Sequence, residues 1–267
     1  MPPPASARSL RRRICAGVLL CLFLAVLPPP AVAQQRHIAS GHPDWPPYSW
    51  QQDDRITGAG AALAELIFRD LGVTLDFKTQ GNWKRTQAEA EHGKVDVIVA
   101  AYRTVDRLRY LGYHATSFAE DANVVWVARG REFPYAGWDD LIGRHGTAML
   151  GESYGEQFDR FIAERLTVSR VSSALLNWKK LEAGHADYYP FSLYGGEIQL
   201  RRFGYLDKVV RLPGVVATEG VYIAIARKSP LIRYLPQLEQ AVRQRRADGT
   251  VERLLRTYVE RAAQQGD

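Results

Sequence analysis

Two junctions of one form constrain this chain most: EAEHGKVDVIVA at 89–100 and LEAGHADYYPF at 181–191. Each reads as the end of a helix, a glycine that stops it, and an apolar or aromatic strand. The same grammar runs along the rest of the chain. Ala59 to Leu71 carries Ala, Leu and Ile at helical spacing and stops at Gly72, and Val73 to Phe77 alternates as a strand. Lys84 to His92 reads as a helix, and Val95 to Ala101 as a buried strand by its β-branched run. The pattern returns with a strand at Gly146–Leu150, a helix opened by Ser153 and running to Ala163, a strand at Val168–Val171 and a helix at Leu175–Ala183. Strands alternating with helices predict an α/β fold with parallel pairing. The repetition predicts two lobes built to one plan.

Between the halves, Ala122 to Ala128 is an apolar strand suited to carry the chain from one lobe to the other, and Val221 to Ala226 suits the return. The tail reads as a helix at Leu231–Arg246, a turn at Asp248-Gly249 and a last helix from Thr250 to about Ala262. His37–Ser40 reads as a first strand, and Gly41–Trp50 as a loop rich in proline and aromatic residues.

The start of the chain sets the compartment. Arg8, Arg11, Arg12 and Arg13 precede the apolar run Ile14–Leu27, three prolines and the small triplet Ala31-Val32-Ala33. This is the layout of a signal peptide, residues 1–33, with cleavage after Ala33. The run is shorter than the ~20 apolar residues a membrane span needs. Export to the periplasm is therefore expected. Both cysteines, Cys15 and Cys21, lie in this leader, so a disulfide framework or a cysteine-ligated metal is excluded from the rest. Taking the leader's four arginines from the formal charge of +6 leaves +2. Basic residues alternate with acids along the C-terminal helices, as on solvated faces, and nothing argues for nucleic acid. The histidines at 37, 42, 92, 114, 145 and 185 are scattered, with no pair at metal-ligand spacing, and no phosphate loop or nucleophile motif is present. No metal and no cofactor is expected.

Four stretches in order resemble the bacterial extracellular solute-binding proteins of family 3: IASGHPDWPPYSW, GKVDVIVAAYRTVDRLRYLGY, MLGESYGEQF and GVYIAIARKSPLIRYLPQLEQAVRQRRADGTVERLLRTYV. The resemblance implies the two-lobed, type II-like periplasmic-binding-protein fold, with two hinge crossings near 119–124 and 216–220 and a cleft between lobes. One lobe would comprise 34–120 with 218–267, and the other 121–217. It also implies a monomer that captures a small, amino-acid-like carboxylate and hands it to an inner-membrane ABC permease.

By the same resemblance, Thr104-Val105-Asp106-Arg107 matches the turn whose arginine holds the ligand carboxylate. The planar guanidinium suits that task through two parallel hydrogen bonds. Trp83 falls at the aromatic shelf under the ligand, and Trp45 and Tyr48 lie in the opening substrate loop. Ser153 and Tyr154 stand at the expected helix start, where unpaired N–H groups take anions. Tyr102 replaces a small hydroxyl residue beside the carboxylate. Ser192 falls where amino-acid binders commonly place an aspartate for the ligand ammonium, which leaves Glu197 or Glu219 for that role or points to a different ligand. Asp187 matches a structural strand position. Two alternatives stand beside this reading. One is a periplasmic dehydratase or lyase on the same scaffold, using Glu152, Glu197 or Glu219 as acid or base. The other is a sensory or accessory binding protein.

Overall fold

A long antiparallel pair of strands organises the molecule, which is described here from a computed structural model over residues 36–264. Residues from Arg36 onward form one unit. The proposed signal peptide lies outside the described residues.

The chain opens with β1 (His37–Ser40), followed by an antiparallel meander of β2 (Asp44–Trp45), β3 (Ser49–Gln52) and β4 (Arg55–Thr57). The segment expected to be a loop is therefore partly sheet, because Trp45 and Ser49 pair across the Pro46-Pro47-Tyr48 turn. Then come α1 (Ala59–Asp70), β5 (Leu75–Phe77), α2 (Trp83–Glu91), β6 (Val97–Tyr102), the short α3 (Val105–Leu108), β7 (Leu111–Tyr113) and β8 (Ala119–Ala128). The middle of the chain carries β9 (His145–Met149), α4 (Glu156–Arg165), β10 (Thr167–Val171), α5 (Ala174–Glu182), β11 (Tyr189–Ser192), α6 (Leu193–Phe203) and β12 (Val209–Arg211). It closes with β13 (Ala217–Ala226), α7 (Leu235–Ala247) and α8 (Thr250–Gln264).

One eight-stranded sheet has the order β11-β8-β13-β6-β1-β5, with β12 on β8 and β7 on β13. The expected parallel pairing holds for β1 with β5 and β6, and for β9 with β10. The expectation fails for β7, β8, β11, β12 and β13, which pair antiparallel, so the sheet is mixed. The two stretches expected to cross between lobes pair with each other, Ala119 opposite Val221 through Asn123 opposite Ala217. Residues 97–102 of β6 are buried throughout, matching their unbroken apolar run.

Three helices depart from the sequence reading. The expected helix at 231–246 begins as a 3₁₀ turn, Pro230–Tyr234, and α7 starts only at Leu235, with Pro236 in its first turn where a missing N–H costs nothing. The helix expected from Ser153 starts at Glu156 instead, because Gly155 turns the chain at φ 96° as its N-cap. At that φ a side chain is strained, and a Cβ would also have to displace the Glu219 carboxylate, 1.8 Å away. Finally, α6 was not expected. Gly195-Gly196 weakens its helical signal, but a Cβ on Gly196 would meet the Trp126 ring at 2.5 Å. Gly196 lets α6 lie directly on β8.

Candidate functional site

The Thr-x-x-Arg turn builds the site's cationic end. Thr104 caps α3, its hydroxyl accepting the Arg107 N–H at 3.3 Å. Arg107 itself is 5% exposed. Its Nη1 donates to the Tyr102 carbonyl at 3.0 Å, its Nη2 to the Gly151 carbonyl at 3.1 Å, and its Nε to Gln87 Oε1 at 3.3 Å. Gln87 Nε2 also donates to the Gly151 carbonyl, at 3.0 Å. The guanidinium carbon stands 5.3 Å from the centre of the Trp83 ring, at the first position of α2. All three acceptors are neutral. Among the described residues Arg107 has no ion-pair partner within 4.0 Å. A buried cation is costly unless an anion balances it.

Arg107 faces an inner cavity of about 30 Å³, roughly the room of one water. Of the residues singled out in the sequence, Arg107, Trp83, Tyr102, Trp45, Ser153, Tyr154 and Ser192 line it, as does Glu152, named there as a possible acid or base. Tyr48 does not; its hydroxyl lies behind the wall, 3.2 Å from the Glu120 carbonyl. On its outer side Arg107 borders an open groove of about 500 Å³ shared with Thr104, Glu156, Asp159 and Arg160.

Ser153 reaches this cavity without opening a helix. Its hydroxyl is spent on Asp159 Oδ2, and Asp159 Oδ1 also takes the Tyr154 N–H at 2.8 Å. Burial raises the Asp159 pKa, and its hydrogen bonds offset part of that rise.

Three lining or wall residues carry no local motif: Asp121 and His42 were missed by the sequence reading as binding candidates, and Glu152 was named only as a possible acid or base. Asp121, on β8, is fully buried. Four groups donate to its carboxylate: Tyr102 OH at 2.5 Å, Ser192 Oγ at 2.7 Å, Trp45 Nε1 at 3.2 Å and Tyr48 OH at 3.4 Å. Desolvation nonetheless raises its pKa to about 6. Asp121 thus brings a carboxylate from the crossing strand directly against Ser192, already taken up by protein donors. Glu152 accepts from the Met149 N–H at 2.8 Å, Tyr154 OH at 2.7 Å and Tyr189 OH at 3.1 Å, and its pKa is also raised by desolvation. His42 is 3% exposed, with its ring centre 5.3 Å from that of Trp83. Burial, and secondarily the Arg107 charge, lower its pKa to about 3.

The other acids fall elsewhere. Glu197 is exposed on α6, and Glu219 is half-buried against Gly155. Asp187 accepts the His145 N–H at 2.7 Å and serves the end of β9.

A mixed α/β sheet with two paired crossing strands, and a cleft carrying a buried arginine over an aromatic shelf, define a two-lobed binding protein. The chain belongs to the bacterial extracellular solute-binding proteins, family 3, whose family model matches residues 38–261. Among solved structures it is similar to holo ArgBP from T. maritima, with a TM-score of 0.67 and 19% identity over 82% of this chain and 95% of that one. An amino acid ABC transporter substrate-binding protein from Streptococcus pneumoniae, bound to L-arginine, aligns with a TM-score of 0.70 and 15% identity, covering 85% and 96%. A histidine kinase sensor domain with similarity to periplasmic binding proteins aligns with a TM-score of 0.72 and 20% identity, covering 84% and 96%. A comparison with curated proteins finds no match.

Proposed function

We propose that the chain is exported through a cleaved signal peptide, captures a small carboxylate-bearing solute in the periplasm, and presents it as a monomer to an inner-membrane ABC permease. Residues 34–120 with 218–267 form one lobe and 121–217 the other, and β8 and β13 carry the hinge. The observation that supports this reading most is the buried Arg107 guanidinium, held only by neutral carbonyl oxygens. A carboxylate supplies the missing charge and accepts two parallel hydrogen bonds from the fork. Trp83 and Trp45 enclose the solute's remainder, with Tyr102, Tyr154, Ser153 and Ser192 completing the wall.

The carbonyl of Gly151 acts as a strap. Gln87 and Arg107 both hold it at 3.0–3.1 Å, from the opposite side of the cleft. A cavity of about 30 Å³ admits a solute only when this strap opens. The solute carboxylate then replaces Gly151 on Arg107, and hinge closure buries it.

A thermal-shift screen against amino acids, opines, polyamines and small organic acids tests the reading. A ligand at one hundred times its Kd adds ~2.7 kcal/mol, which raises the Tm of a chain this size by about 5–10 °C. The expected result is a shift with one carboxylate class that disappears in Arg107→Ala. A shift of equal size in the variant, or stabilisation by amines alone, would overturn the carboxylate anchor.

A further inference from the structure

His42 has one ring nitrogen engaged and one unpartnered. Its Nδ1 accepts the Asp44 backbone N–H at 3.0 Å. An imidazole nitrogen that accepts carries a lone pair, so in the neutral ring the proton sits on Nε2. That nitrogen is buried and has no hydrogen-bond partner. The lowered pKa keeps the ring neutral, so Nε2 is a fixed donor across the physiological range. Buried donors are nearly always paired, and an unpaired one inside a cleft marks a place where a partner arrives.

The other polar groups on the wall are already committed. Tyr102, Trp45 and Ser192 donate to Asp121, Ser153 donates to Asp159, and Glu152 accepts from Met149, Tyr154 and Tyr189. Asn123 Nδ2 donates to Tyr102 OH, so among the described side-chain donors lining the cavity His42 Nε2 is the buried unpartnered one, and the Arg107 fork joins it when the solute replaces Gly151. Both stand against the Trp83 indole, with the Arg107 guanidinium carbon and the His42 ring centre each 5.3 Å from the indole centre. Both line the same cavity.

We propose that His42 is a ligand-binding residue of this cleft, and that the solute is a short organic acid with a second acceptor beside its carboxylate, as in a 2-oxo acid. The inference rests on the carboxylate reading of Arg107 and narrows it. The ammonium of an α-amino acid would present a donor to a donor, a mismatch that discriminates against that class.

Calorimetric titration with three matched pairs tests it: pyruvate and L-alanine, 2-oxoglutarate and L-glutamate, 2-oxoisovalerate and L-valine. Each pair differs only in the oxo or amino group. The oxo member of at least one pair is expected to bind tenfold or more tightly than its amino partner. His42→Phe should weaken that oxo acid at least tenfold and bring the pair within threefold of each other. On the wild-type protein, ¹⁵N-edited spectra of the imidazole should show a proton on Nε2 of His42 and a shift of that signal on adding the oxo acid. This second reading holds even where His42→Phe fails to fold. Binding that is lost in Arg107→Ala but unchanged in His42→Phe, with no imidazole shift, would overturn the role of His42 and leave the carboxylate reading standing. Tighter binding of the amino members would overturn the solute class. Binding by no member of any pair would overturn both readings together.

Discussion

Asp121 and the Arg107–His42 pair are both buried polar groups at one cleft, yet their hydrogen-bond accounts differ. The Asp121 carboxylate receives donors from Trp45, Tyr48, Tyr102 and Ser192, which lie 76, 73, 19 and 71 residues away. Arg107 is held only by neutral oxygens, and one nitrogen of His42 by nothing. A saturated node ties segments together and leaves nothing to offer a solute. An unsaturated one is costly in the free protein, and that cost is relieved when a complementary ligand arrives. The difference separates architecture from recognition within a single cavity wall.

The strongest way to break this distinction is Asp121→Ala. It strands several buried donors at once, each unsatisfied group costing ~1–3 kcal/mol. A loss of about 3–5 kcal/mol is expected, read as a lower urea midpoint at unchanged slope. Stability within 1 kcal/mol of wild type would show that Asp121 does not hold the crossing strand to its neighbours.

Titration sharpens the same contrast. The folded-state pKa of Asp121 is raised from 3.8 to about 6. Such a group takes up its proton in the folded protein before the unfolded chain does, so its penalty is present at pH 7 and disappears as pH falls from about 6 towards 4. Relative to Asp121→Asn, wild type should gain about 2 kcal/mol between pH 7 and pH 4.5. The buried histidines work the other way. His42 and His114 have pKa values lowered to about 3 and about 4, so their contribution is full above pH 6.5 and is lost as pH falls through that window. They are common to both proteins and cancel in the difference. Urea titrations of the pair at the two pH values measure it, and a constant difference would refute the raised pKa.

How much of this was legible in the sequence follows from the range of the contacts. Helices α1, α2 and α5 are punctuated by Gly72, Gly93 and Gly184 just beyond their ends, each at a φ between 72° and 78°, so local chemistry announces them. Arg107 was visible only through the family resemblance of Thr104-Val105-Asp106-Arg107, since its spacing alone marks an ordinary surface arginine. By contrast, Ser153 mimics an N-cap three residues before Glu156, but its hydroxyl is taken by Asp159 and the positive φ of Gly155 delays the helix. The glycines that hid α6 answer to the Pro46 carbonyl and to Trp126, and the antiparallel β8–β13 pair joins residues about a hundred apart. Asp121 reads locally as one acid in an apolar strand, and His42 as one histidine in a loop. Periodicity and motif carry no information on partners so distant.

The smallest expected effect is also the most discriminating. Arg107→Met removes a buried cation that has no ion-pair partner within 4.0 Å among the described residues, Asp159 acting on it only at longer range, and keeps much of the packing against Trp83. Three acceptors, on Gln87, Tyr102 and Gly151, lose a donor, and Gly151 keeps the bond from Gln87. Loss of those hydrogen bonds opposes the relief of an uncompensated charge, and the two are of similar size. Stability should therefore stay within about 1 kcal/mol of wild type, while the thermal shift produced by a carboxylate solute disappears. That pairing of unchanged folding and lost binding is what an unsaturated recognition group predicts. A loss as large as that of Asp121→Ala would place Arg107 with the architecture instead, as a strut that holds the Gly151 strap rather than a group waiting for a solute.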